Sequence, residues 1–142
     1  MLTDFPRERL TVAQANQRLP EVRAALADIQ EHLGHMRALV REISQIEAVG
    51  RTPGGHLVMA ADHRADEQAL EGHRQTCETI ITRLTQLGCM VKDLDRGICD
   101  FHGLVAGRPV LLCWRQGEPE IAFYHAEDDG YAGRKPIPPG TP

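Results

Sequence analysis

The last third of the chain gathers the side chains best suited to hold a metal ion. Asp100, His102, His125, Asp128 and Asp129 supply imidazole and carboxylate donors, a mixture that suits zinc, iron or manganese when coordination positions stay open. No His-x-x-His or His-Glu-x-x-His spacing places two imidazoles on one element, so the fold must assemble the set. A nucleophilic pair of Cys113 and His125 is the competing arrangement. If Leu112 pairs with Ile121 across a hairpin, Cys113 stands opposite Glu120, roughly 16 Å along the strand from His125. That is far beyond the ~3 Å at which a base reaches its nucleophile. On this register Cys113 is a buried structural thiol.

Basic residues offer a second chemistry. Lys92, Arg96 and Arg134, with Arg108 and Lys135 nearby, would form an anion pocket with backbone amides at Gly97 or Gly130. The competing view is of surface charges that nearly cancel, Lys92 with Asp93, Asp95 with Arg96, and Glu127 to Asp129 against Arg134 and Lys135. His32 and His35 sit beside Asp28 and Glu31 at helical spacing and flank the apolar seam, which reads as a solvated helix face.

The elements that must position these groups are of two kinds. Thr11-Val-Ala-Gln14 is a capping box and starts a helix; Pro20 predicts a kink or break soon afterwards. Leu19, Val22, Leu26, Ile29, Leu33, Met36, Val40 and Ile43 then step by three and four, the spacing of a heptad seam. Gly50, Pro53, Gly54 and Gly55 turn the chain, and Leu70, His73, Cys77, Ile80, Leu84 and Leu87 repeat the seam until Gly88 stops it. Beyond Gly88, apolar runs between turn residues predict strands, with Arg115–Pro119 as a hairpin loop. The expectation is one domain over 1–142: a kinked helix over 11–49, a loop over 50–60, a second helix over 61–88, a small sheet over 89–126 and an extended tail over 127–142. The fold class is α+β, mainly α, a long coiled-coil-like antiparallel helical hairpin followed by a small antiparallel β-sheet.

A lone pair of helices encloses too little core to offset its chain entropy. The seam therefore predicts a homodimer through Leu26, Ile29, Leu33, Met36, Val40, Ile43 and Trp114, and an apolar sheet face leaves room for a protein partner. A formal charge of −4 over 142 residues gives no general attraction to phosphate backbones, which argues against nucleic acid. No apolar run approaches the ~18 residues of a membrane helix, and the charged N-terminus lacks the apolar core of a secretory signal. A cytoplasmic protein with four reduced cysteines is expected.

The strings RLTVAQANQRLPEVR, LGCMVKDLDRGICDF, VLLCWRQGEPEIAFYH and DDGYAGRKPI resemble a bacterial family of unknown function, domain-of-unknown-function family 2203, over nearly the whole chain. Lys92, Asp93, Gly97, Asp100, Phe101, Cys113, Trp114, Gly117, Glu118, His125, Gly130 and Arg134 carry the pattern. His102 stands where the family pattern has Pro, so the resemblance extends no role to it. It implies a cytoplasmic bacterial protein and names no activity. The residues favour a self-associating interaction module; the alternative is a small metal-binding protein or metal-dependent enzyme using the C-terminal third.

Overall fold

The structure is a computed structural model and describes residues 8–49 and 56–142, with side chains over 8–45 and 64–142. Two long packed helices, α1 (Val12–Val49) and α2 (His56–Gln86), precede five strands: β1 (Cys89–Asp93), β2 (Ile98–Val105), β3 (Arg108–Arg115), β4 (Phe123–His125) and β5 (Lys135–Pro136). The strands form one antiparallel meander in chain order. This is the α+β hairpin-and-sheet architecture expected. The chain divides into two compact units, one comprising the chain up to Leu26 with Arg83–Pro142, the other Ala27–Thr82.

The capping box is reciprocal: the Gln14 amide donates to Thr11 Oγ1 (3.1 Å) and the Thr11 amide to Gln14 Oε1 (2.9 Å). α1 runs as one helix through Pro20, so the chain does not break there. α2 begins at His56, ahead of the expected 61; the rest of the expected loop, 50–55, lies outside the described residues.

In the first unit, α1 buries Ala15, Leu19, Val22, Ala25 and Leu26, and the last turn of α2 buries Leu84. The sheet contributes Cys99, Phe101, Leu112 and Trp114 to this core. Leu26 and Trp114, expected at an interface between copies, are 0% exposed here and are covered by their own chain. Arg23 lies 5.7 Å over the Trp114 ring, and the indole Nε1 donates to the Glu118 carbonyl (2.9 Å). Gly103 allows a close approach: a Cβ there would stand 2.5 Å from Leu112 Cδ1 and 2.9 Å from the Leu10 carbonyl. Leu10 thereby bridges to β2, donating to the His102 carbonyl (2.9 Å) and accepting from Leu104 (3.0 Å).

In the second unit Ile29 and Ile80 are buried, and Ile29 is likewise covered by its own chain at 1% exposure. Leu33, Met36 and Ile43 are only half-buried and Val40 is 50% exposed.

The strands differ from expectation in three places. The most extensive pairing, β2 with β3, closes through Ala106 and Gly107, both at positive φ (53° and 75°), as a two-residue type I′ turn requires. β4 holds three residues rather than the six expected over 120–125, and Leu112 faces Tyr124 instead of Ile121. The cause lies outside the ladder: the Ile121 amide donates to Asn16 Oδ1 (2.7 Å), so residues before Phe123 are drawn toward α1. Finally, the tail over 127–142 is partly regular. Lys135 and Pro136 pair with β4 at the sheet edge, where a proline without an amide proton is tolerated. The Pro142 carbonyl accepts from the Val12 amide (3.0 Å).

Candidate metal centre

The corrected register decides the chemistry of the sheet. β3 sets Cys113 opposite Asp100 on one side and Phe123 on the other, while Leu111 lies between His102 and His125. Side chains alternate along a strand, so Asp100, His102, Cys113, Phe123 and His125 share one face. On the opposite face stand Phe101, Leu112 and Trp114.

Asp100, Cys113 and His125 converge. Their ligand atoms lie within 4.8 Å of one another and all three residues are buried. His125 Nε2 is 3.0 Å from Asp100 Oδ1, and His125 Nδ1 is 2.8 Å from the Ala126 carbonyl oxygen. A carbonyl oxygen only accepts, so Nδ1 carries a proton. The Nε2 lone pair would then face a carboxylate oxygen unless positive charge, a proton or a metal ion, lies between them. Burial, with further contributions from the Asp100 charge and hydrogen bond, pushes the Cys113 thiol up to about 12, against a smaller opposing effect of Arg134. Without a metal the thiol therefore keeps its proton and is a poor nucleophile at neutral pH.

The separation expected between Cys113 and His125 is thus overturned. Sequence reasoning rejected Cys113 because it aligned the strands three residues out of register. The other expected ligands are elsewhere. His102 lies on the same face, its Nδ1 3.7 Å from Glu127, which also accepts from Arg9 (2.8 Å). Asp128 and Asp129 are exposed, and neither joins the buried group.

A cleft of about 520 Å³ opens beside Asp100 and is also lined by Lys92, Asp93, Arg96, Glu127, Asp129 and Tyr131. Two of the three residues expected in an anion pocket, Lys92 and Arg96, line it. Arg134 does not: its guanidinium is bonded to both carboxylate oxygens of Glu118, at 2.8 and 2.9 Å. It packs 4.1 Å over the Phe123 ring and 4.3 Å over Tyr131. That grip ties the loop before β4 to the segment after it.

Residues 9–137 match the family model described as an uncharacterized conserved protein, DUF2203. The chain belongs to the DUF2203 family. No curated protein and no solved structure matches it. In this DUF2203 member, among the described residues, no helix is long and apolar enough to cross a membrane. Among the described residues, the buried Asp100, Cys113 and His125 group could hold a metal.

Proposed function

We propose that the protein is a divalent-metal protein whose ligands are Asp100, Cys113 and His125, and that zinc is the preferred ion. The carrying observation is the arrangement around His125, whose Nδ1 faces the Ala126 carbonyl while Nε2 points at Asp100 and the buried thiol. Metal-binding histidines are oriented in this way, the second ring nitrogen donating to a backbone carbonyl. One thiolate, one imidazole and one carboxylate form a borderline donor set that zinc accepts more readily than the harder manganese. Three protein ligands leave a fourth position, the pattern of zinc sites that polarise a ligand or activate water. The cleft opens at Asp100, one of the three ligands, and its wall carries Asp93, Glu127 and Asp129 besides Lys92 and Arg96.

The test is zinc titration of metal-free protein against a chromophoric chelator. One ion per chain is expected, with affinity falling tenfold or more in Cys113→Ser, His125→Gln and Asp100→Asn. Cobalt substitution should give sulfur-to-cobalt charge-transfer absorption that disappears in Cys113→Ser. Failure of the wild-type protein to retain zinc, or equal affinity in all three variants, refutes the reading.

A second reading concerns assembly. Val40 is 50% exposed, with Leu33, Met36 and Ile43 half-buried, so the distal seam of α1 still has apolar surface to cover. We infer a homodimer through these positions. Light scattering should give twice the chain mass, and Val40→Glu should give the monomer; a wild-type monomer at all concentrations sinks this reading.

A further inference from the structure

The helical hairpin holds a polar contact that neither the buried triad nor the dimer accounts for. Among the described residues of the unit Ala27–Thr82, only Ile29 and Ile80 are buried. Farther along both helices, His32 on α1 and His73 on α2 meet with their Nδ1 atoms 2.8 Å apart and their rings tilted by 55°, both half-buried. The solvated face expected for His32 is therefore a contact between helices. His35, which is exposed, stacks on His73 with ring centroids 5.3 Å apart and planes 15° apart.

Two ring nitrogens at that distance share one proton, one imidazole donating and the other accepting. A neutral pair meets this condition. So does a pair with one extra proton, because an imidazolium donates to a neutral imidazole. A second extra proton sets N–H against N–H, and the contact is lost. The neighbouring charges favour the first step. On α1, Asp28 lies 3.4 Å from His32 Nε2 and supports one positive ring, while Glu31 lies 3.9 Å from His35 Nε2. On α2, Arg74 beside His73 is bonded to Glu71 and Glu78 of its own helix. One turn from His73, burial and then the Asp28 charge raise the Cys77 thiol, which keeps its proton at neutral pH and adds no negative charge.

We propose that the His32–His73 contact is a pH-sensitive latch on the helical hairpin, closed at neutral pH and released in mildly acidic solution as both rings become charged. The closed pair takes up one extra proton and the separated rings take up two. Opening thus absorbs a proton, and its equilibrium constant rises by up to about tenfold for each pH unit of acidification. His35, stacked on His73, gains charge in the same range and acts in the same direction. With two buried aliphatic side chains beside the latch, the unit has little apolar packing to resist opening.

The test is hydrogen exchange of the full chain read by mass spectrometry between pH 8 and pH 5, each peptide corrected for its intrinsic exchange rate. Protection over residues 30–45 and 64–80 should fall about tenfold on going from about pH 6.5 to 5.5. His73→Gln keeps a donor and an acceptor but cannot charge, so its protection should stay level over that range. In wild type, the His32 and His73 imidazole resonances should titrate in two separate steps, as coupled groups do. Constant protection in wild type, an equal fall in His73→Gln, or two imidazoles titrating together in one step overturns the proposal. Should His73→Gln lose helical circular dichroism at pH 8, His32→Gln takes its place, and the wild-type imidazole titration decides without either variant.

Discussion

Arg134 grips Glu118 with two hydrogen bonds of 2.8 and 2.9 Å, joining the loop before β4 to the segment after it. Glu118 also accepts from the Arg115 amide (2.6 Å). Burial raises the Glu118 carboxyl, but the hydrogen bonds from Arg134 and Arg115 outweigh it and hold the group below its ordinary range. A depressed folded-state value stabilises the fold above the unfolded value of about 4.3, and this stability is lost as pH falls through the folded value. Glu118→Gln should therefore flatten the acid limb of stability between about pH 5 and the folded value. Arg134→Lys removes the paired geometry and the stacking on Phe123, and should cost about 2 kcal/mol at pH 7 by urea unfolding. An unchanged acid limb in Glu118→Gln would show that the pair is not coupled to folding.

The β2–β3 turn holds a second lever. Ala106 at φ 53° adopts a left-handed conformation, which costs an L-residue other than glycine roughly 1–2 kcal/mol, with asparagine partly excepted. Asn-Gly is the favoured pair for a type I′ turn. Ala106→Asn should raise unfolding free energy by about 1 kcal/mol at constant denaturant slope. No gain would mean that the turn relaxes at no cost.

The difference between legible and illegible features follows sequence distance. Thr11 with Gln14, the heptad steps and the Gly88 stop act within one or two helical turns, and the helices were readable from them. The β2–β3 hairpin escaped because alanine occupies the position where asparagine or glycine would signal the turn. The β3–β4 register depends on Ile121 bonding Asn16, 105 residues away, and no local pattern encodes that bond. The misplaced register carried Cys113 away from His125 and hid one member of the triad. Asp100 and His125 were legible as donors, but which aspartates join His125 was not, because Asp128 and Asp129 are neighbours only in sequence. His32 and His73 were each visible on a helix; their contact depends on the axial stagger of α1 against α2.

Thiol chemistry separates the cysteines. Cys113 is 0% exposed and its thiol is pushed up to about 12, by burial first and then by Asp100. Cys77 is half-buried, and its value is raised by burial and the Asp28 charge. Alkylation of native protein at pH 8 with iodoacetamide, read by peptide mass spectrometry, should modify Cys77 first and leave Cys113 intact until the chain is unfolded. Preferential labelling of Cys113 in the native state would contradict both its burial and its protonation.

Zinc binding should release protons in a defined number. The Cys113 thiol is protonated at neutral pH and must become a thiolate to bind. With Nδ1 donating to the Ala126 carbonyl, the 3.0 Å contact of His125 Nε2 with Asp100 Oδ1 calls for a second proton between them when no ion is bound. An ion bound to Nε2, the carboxylate and the sulfur displaces both, whereas the Nδ1 proton stays with its carbonyl. Calorimetric titration in buffers of different ionisation enthalpy should thus give about two protons released per zinc near pH 7, and apparent affinity should rise with pH. Asp100→Asn removes the shared site and should lower the count to about one, and Cys113→Ser should also lower it by about one. A wild-type release near zero would mean that the triad does not hold the ion in the manner deduced from His125.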